Sequence, residues 1–130
     1  MALIRAKDTK PELVIRKLLH ARGLRYRIHD KRLPGKPDIS IHKYKIVIEV
    51  KGCFWHQHEG CRFASQPKSN THYWKQKLEK NKIRDQSNQI LLEQLGFRLF
   101  TIWECETKNT TTLISRVDAI INYKNSIIPL

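Results

Sequence analysis

The sequence predicts an α/β domain in which helices flank a mixed β-sheet. Three observations carry this expectation. Apolar periodicity runs in the order helix, three strands, long loop, helix, strand, helix. The second and third strands are joined by a short polar link, which makes them an antiparallel hairpin. A long helical stretch then separates the hairpin from a strongly apolar strand, an arrangement that returns a strand in parallel through a right-handed crossover.

The first helix opens at Thr9-Lys10-Pro11-Glu12, where Thr9 can cap, Pro11 suits the first turn and Glu12 completes a capping box. Leu13, Val14, Leu18 and Leu19 supply its expected apolar stripe, and Gly23 its stop. Arg25, Arg27 and His29 alternate with Tyr26 and Ile28 as a strand, and Leu33-Pro34-Gly35-Lys36-Pro37 reads as a loop. Asp38-Ile39-Ser40-Ile41 forms the next strand, His42-Lys43 the turn, and residues 44–50 its more apolar partner. Residues 52–70 have no period, and a loop of that length is functional, disordered or tied down. Thr71 opens a helix through Trp74, Leu78, Ile83, Ile90, Leu91 and Leu95 that closes at Gly96, with room for a bend near Asn81. Residues 97–103 form a buried-type strand. Leu113, Ile114, Val117, Ile120 and Ile121 mark a final helix over 110–123, and 125–130 is a tail. With no repeats or linkers, residues 1–130 read as a single domain.

Charge is the strongest bulk property. Twenty-five Lys and Arg oppose twelve Asp and Glu, for a net charge of +13 and a pI near 10.0. Such an excess is a footprint for nucleic acid, with affinity dominated by counterion release. No signal-peptide pattern opens the chain and no apolar run spans a bilayer, so the expectation is a soluble intracellular protein with no membrane partner. Three cysteines cannot complete a disulfide framework, which leaves metal ligation or free thiols.

Two constellations carry chemistry. Asp38 begins one hairpin strand and Glu49 nears the end of the other, so both carboxylates fall at one end of the sheet. Together they suit a hard divalent cation such as Mg²⁺, whose bound water can act as nucleophile. Lys51, two residues past Glu49, shares its face and can stabilise charge developing on a phosphate. Surface residues at strand ends are the plainer alternative, but the apolar neighbours of Glu49 call for a partner or a metal. In the second constellation Cys53, His58, Cys61 and Cys105 have the composition of a tetrahedral structural Zn²⁺ site, against three unrelated thiols and an exposed His. His56 lies between these ligands, as a general base or as a surface residue. Phe54-Trp55 and Tyr73-Trp74 sit among Arg62, Lys68, Lys75 and Lys77, either as wedges for a base stack or as packing around the metal.

Gly52-Cys53-Phe54-Trp55-His56-Gln57-His58, Leu33-Pro34-Gly35-Lys36-Pro37-Asp38 and Ile102-Trp103-Glu104-Cys105 resemble the very-short-patch repair (Vsr) endonucleases, as does the opening string from Ile4 to Glu12. The resemblance covers nearly the whole chain in order. It implies the restriction-endonuclease-like, three-layer fold of the PD-(D/E)xK superfamily. It further implies Mg²⁺-dependent nicking of one DNA strand at T·G mismatches left by deamination of 5-methylcytosine, beside a structural Zn²⁺. By the same resemblance Asp38 binds the catalytic metal, His56 is catalytic, and Cys53, His58, Cys61 and Cys105 bind zinc. Phe54, Trp55 and Trp74 would wedge into DNA; Arg62 and Lys75, read from the charge beside the aromatics rather than from the resemblance, would grip it. Glu12 and Asp85 would be further acidic active-site residues, Asp85 orienting His56. Double-stranded mismatched DNA, repair proteins, a monomeric state and a bacterial cytoplasmic, nucleoid-associated location complete the expectation.

The chain departs from well-known members, which carry Thr-His where Val50-Lys51 stands and no acid at Glu49. Here Glu49 and Lys51 follow the wider superfamily pattern. Two alternatives stay open: a nuclease of a restriction or mobile-element system without mismatch preference, and a non-catalytic zinc-stapled DNA-binding module.

Overall fold

A computed structural model describes residues 9–64 and 68–127, apart from the side chain of Phe63. Helix α1 (Lys10–Ala21) leads to strands β1 (Arg27–Ile28), β2 (Ile39–Ile41) and β3 (Ile46–Lys51). Helix α2 (Thr71–Gln94), strand β4 (Arg98–Trp103), a short helix α3 (Glu104–Thr107) and helix α4 (Thr110–Ser126) complete the order. The strands form one sheet in the order β1-β2-β3-β4. β2 pairs antiparallel with β1 and β3, and β3 pairs parallel with β4, so the sheet is mixed as the periodicity predicts.

The sheet separates two layers because side chains alternate along β3. Ile46 and Ile48 join Ile39, Ile41 and Ile102 in a core with Ile15 and Leu19 of α1 and with Leu113, Val117 and Ile120 of α4. On the opposite face Lys51 meets Asp85 of α2. The α/β architecture with flanking helices therefore matches the expectation.

Several local expectations are corrected. On α1 the buried residues are Glu12, Ile15 and Leu19, whereas Leu13 and Val14 are exposed. The inward face thus includes a carboxylate, which an apolar count overlooks. Thr9 does cap, accepting from the Glu12 backbone N–H at 3.4 Å. The Glu12 carboxylate engages Arg16 and His29. The β2–β3 link is a turn of 3₁₀ helix over His42–Tyr44 followed by Lys45 in the left-handed region, so β3 starts at Ile46. β1 keeps only Arg27–Ile28. α3 carries no apolar period and escaped the sequence reading; the Glu106 carboxylate caps it by accepting from the Trp103 N–H at 2.9 Å. The final helix continues through Ser126, into the expected tail.

The largest correction concerns α2. It buries Leu78 and Leu92 and leaves Ile83, Ile90, Leu91 and Leu95 exposed. Its sheetward line runs instead through Trp74, Leu78, Asn81, Asp85, Asn88 and Leu92, every three to four residues. That line is apolar near its ends and polar between, where it crosses the cleft. Asn81, where the sequence leaves room for a bend, lies within one continuous helix and donates from Nδ2 to the Trp55 carbonyl at 2.9 Å.

Candidate active site

The cleft lies at the C-terminal end of β3, between the sheet, the start of α1 and α2. Its volume is about 1050 Å³, and its lining includes Glu12, Asp38, Glu49, Lys51, His56 and Asp85. All six residues expected to be catalytic therefore meet in one place. Backbone pairing explains the first two strand residues. The β2–β3 register places Ile39 opposite Ile48, and continuing it brings Asp38 beside Glu49. The Val50 N–H then donates to Asp38 Oδ2 at 2.7 Å, which fixes the carboxylate at the sheet end. The loop before Asp38 rests on α2. Gly35 has φ 75°, and a Cβ there would come within 2.7 Å of Asn88 Nδ2. The close approach and left-handed backbone both favour glycine.

Charge is concentrated beyond what water alone would solvate. Burial raises the Asp38 pKa to about 6; the nearby Glu12 and Glu49 charges push the same way, against the Val50 hydrogen bond. Burial also raises Glu49, with Lys51 opposing. Lys51 Nζ lies 3.6 Å from Glu49 Oε2 and 3.6 Å from Asp85 Oδ2. His56 Nδ1 lies 2.6 Å from Asp85 Oδ2. Burial would raise Asp85, but His56 and then Lys51 outweigh it and hold the carboxyl below its usual range. A carboxylate–imidazole pair of this kind fixes the ring and leaves Nε2 as its second functional atom. Asp38 and Glu49 bring two carboxylates to one end of the sheet, close enough for the Glu49 charge to raise Asp38, and carboxylate oxygens suit a hard divalent cation.

The cysteine cluster adjoins the cleft through Gly52. Ligand atoms of Cys53, His58, Cys61 and Cys105 all lie within 4.8 Å of one another. His58 Nδ1 is 3.7 Å from Cys53 Sγ and 3.5 Å from Cys105 Sγ. A tetrahedral zinc with ordinary Zn–S and Zn–N lengths separates such atoms by about 3.6 Å. The donor set therefore fits Zn²⁺. Burial and the neighbouring cysteines push the Cys105 thiol up to about 12, and burial raises Cys53. Thiols so crowded need a cation to ionise together. Trp103 links the two centres: it stacks on His58 at 4.1 Å, while Lys51 Nζ stands 5.9 Å from its ring centroid.

Phe54, Trp55 and Trp74 form a cluster at the cleft edge, with centroid separations of 5.2, 5.5 and 5.8 Å. Lys77 Nζ stands 5.6 Å from the Trp55 centroid. Lys75 and Arg62 are exposed and stand outside the cleft lining, where Lys31, Lys36 and Arg84 join Lys51.

The sequence reading placed His29 on a strand but not in the site. Its N–H donates to the Asp38 carbonyl at 3.1 Å, and its Nε2 lies 3.1 Å from Glu12 Oε2 and 4.0 Å from Asp38 Oδ1. The signal was available: extending the β1–β2 pairing of Ile28 with Ile39 sets His29 opposite Asp38.

A basic α/β chain with a carboxylate–lysine–histidine cleft beside a cysteine cluster has the makeup of a DNA endonuclease. Comparison with known proteins narrows that class. The family model for DNA mismatch endonuclease Vsr matches residues 1–62. A type II nicking enzyme of Neisseria meningitidis serogroup A is 46% identical over 121 residues, covering 93% of this chain and 86% of the relative. One from Xanthomonas oryzae pv. oryzae is 43% identical over 122 residues, with 94% and 89% covered. The DNA mismatch endonuclease Vsr of Escherichia coli is 37% identical over 113 residues, with 87% and 72% covered. The chain belongs to the Vsr family of DNA endonucleases.

Proposed function

We propose that this protein is a Mg²⁺-dependent endonuclease of the PD-(D/E)xK kind that nicks one strand of double-stranded DNA at T·G mismatches. The observation that carries the reading is the meeting of Asp38, Glu49, Lys51 and the His56–Asp85 pair in one cleft. In this reading Asp38 and Glu49 hold the divalent cation, which when bound supplies electrophilic stabilisation and an acidified water. Lys51 neutralises charge developing on the scissile phosphate. His56 accepts a proton from the attacking water at Nε2, with Asp85 keeping Nδ1 as the donor. Glu12 extends the acidic wall. Cys53, His58, Cys61 and Cys105 hold Zn²⁺ and fix the strand that carries Lys51 relative to His56. The Phe54–Trp55–Trp74 cluster enters the stack beside the mismatch, where a wobble pair lowers the cost of unstacking. Cutting a single strand needs one active site, so a monomer suffices, and residues 1–130 act as one domain.

A second reading has a specific motive: the relatives at 46% and 43% identity are named type II nicking enzymes, without mention of a mismatch. One assay separates the readings. T·G-mismatched and matched duplexes are cleaved with Mg²⁺ and resolved by strand, with Asp38→Asn as control. The expected result is a nick in the T-containing strand of the mismatched duplex, absent in the variant. Equal cutting of both duplexes would leave a nicking enzyme without mismatch preference. Binding without cleavage, across varied flanking sequences and with zinc present, would point to a DNA-binding module.

A further inference from the structure

The loop between β1 and β2 borders the cleft, where Lys31, Gly35, Lys36 and Asp38 belong to the lining. Arg32 stands on that loop, and its guanidinium is held by Asp30. Arg32 Nε donates to Asp30 Oδ1 and Nη2 to Oδ2, each at 3.1 Å. The Arg32 backbone N–H donates to the same Oδ1 at 3.0 Å, and the Leu33 N–H closes the turn on the Asp30 carbonyl at 3.3 Å. His42 Nε2 lies 2.8 Å from Oδ2. Two donors thus meet each carboxylate oxygen, which fills its lone pairs. The Arg32 hydrogen bonds above all hold Asp30 well below the usual carboxylate range. The Asp30 side chain is only 6% exposed, whereas that of Arg32 is 66% exposed. A buried, fully engaged acid therefore fixes the orientation of an exposed base.

A guanidinium carries five N–H donors in one plane. Asp30 occupies the edge formed by Nε and Nη2. The edge formed by Nη1 and the other Nη2 hydrogen meets no acceptor among the described residues and faces solvent. An arginine ordinarily loses side-chain freedom when it binds; Arg32 has lost it on folding. The ion pair also cancels the charge of Arg32, which weakens it as a phosphate anchor and leaves its direction intact. Two parallel donors match the O6 and N7 acceptors of guanine in the major groove. We propose that Arg32, oriented by Asp30, reads a guanine flanking the nick and so sets the sequence context that the enzyme accepts. The inference rests on the DNA-nicking reading, and it holds whether or not a mismatch is required.

The test uses zinc-loaded protein and a pool of T·G-mismatched duplexes with randomised flanking base pairs, sequenced after binding and again after nicking with Mg²⁺. Wild-type protein should favour guanine at one flanking position by about tenfold or more. Placing 7-deazaguanine there, which lacks the N7 acceptor, should erase most of that preference. Arg32→Gln should remove it at that position alone and leave the slope of log K against log salt as in wild type. Asp30→Asn should weaken the same preference and steepen the slope, because Arg32 regains its full charge; a merely structural Asp30 would not steepen it. A guanine preference indifferent to 7-deazaguanine would overturn the assignment. So would a loss in Arg32→Gln that is uniform across sequences with a slope lower by about 1, the mark of a phosphate contact. Nicking without any Arg32-dependent guanine preference overturns this inference and leaves the nuclease reading standing. Arg32-dependent enrichment of guanine in the bound pool, without nicking, supports this inference and overturns the nuclease reading. Neither binding nor nicking of the pool overturns both. The 7-deazaguanine comparison needs no variant, so a folding defect in Arg32→Gln or Asp30→Asn cannot shield the proposal.

Discussion

Asp38 shows how a functional residue works against its own fold. Its pKa is raised from 3.8 to about 6, chiefly by burial. The folded metal-free protein thus binds this proton more tightly than the unfolded chain. Between those two values the native state holds the extra proton, so the residue's contribution falls as pH rises. Above about 6 the penalty is complete, on the order of 2–3 kcal/mol. Metal-free Asp38→Asn should therefore melt higher than wild type at pH 7.5 and close to it near pH 4, measured by thermal denaturation. Mg²⁺ should raise the melting temperature of wild type but not of the variant. A variant less stable than wild type at pH 7.5 would contradict this assignment of strain. Asp85 tests the other half of the site. Asp85→Asn keeps a hydrogen-bonding partner for His56 but loses the charge that fixes its tautomer. Single-turnover cleavage should fall about 10²–10⁴-fold while DNA affinity changes little; equal losses in both would make Asp85 a structural residue.

At the scale of elements, the segment after β3 takes its shape from the cysteine cluster more than from secondary structure. Between Lys51 and α2 the described residues form turns and a three-residue 3₁₀ helix over Arg62–Ala64. His56, Trp55 and Phe54 all belong to this segment, so their positions depend on what joins Cys53, His58 and Cys61 to Cys105 on α3. Removing zinc with a chelator, or replacing Cys105 with Ser, should lower the melting temperature by several degrees. Amide hydrogen exchange over residues 52–64 should accelerate more than exchange in β3. Because the Cys53 and Cys105 thiols are raised, metal competes with protons, and zinc retention should weaken as pH falls. No zinc by elemental analysis, together with an unchanged melting curve after chelation, would remove the staple from the account. α2 carries the complementary lesson. Its sheetward line is polar at Asn81, Asp85 and Asn88 because that stretch borders the cleft, so apolar periodicity found Trp74 and Leu78 but misplaced Ile83, Ile90, Leu91 and Leu95.

For the whole molecule, the net charge of +13 suits a polyanionic partner, and part of it borders the acidic centre. Lys31, Lys36 and Arg84 share the cleft with Asp38, Glu49 and Asp85. Phosphates flanking the scissile one can meet the bases while the carboxylates keep their cation. DNA affinity should fall steeply with salt, and Arg84→Gln should reduce the slope of log K against log salt by about 1. The loss should be similar on matched and mismatched duplexes, because phosphate contacts carry no sequence information. An unchanged slope would place Arg84 off the DNA path.

By itself the sequence determined the element order apart from the short α3, the mixed sheet, the nucleic-acid partner class and which residues make up the two constellations that the structure brings together. These follow from composition and short-range spacing, which one chain displays directly. Asp38, Glu49 and Lys51 were legible because strand pairing and the two-residue repeat fix their relation. Cys53, His58 and Cys61 were legible as a cluster because they lie within nine residues of one another on one loop. Only the tertiary structure decided that Glu12, 26 residues before Asp38 in the chain, turns inward to meet His29. It likewise decided that Lys77 rather than Lys75 stands over the aromatic cluster, and that the polar middle of α2 faces the cleft. Those facts depend on which side of a helix meets the sheet. Where a helix borders a cleft that side is chosen by charge as much as by burial, and apolar periodicity registers only the burial.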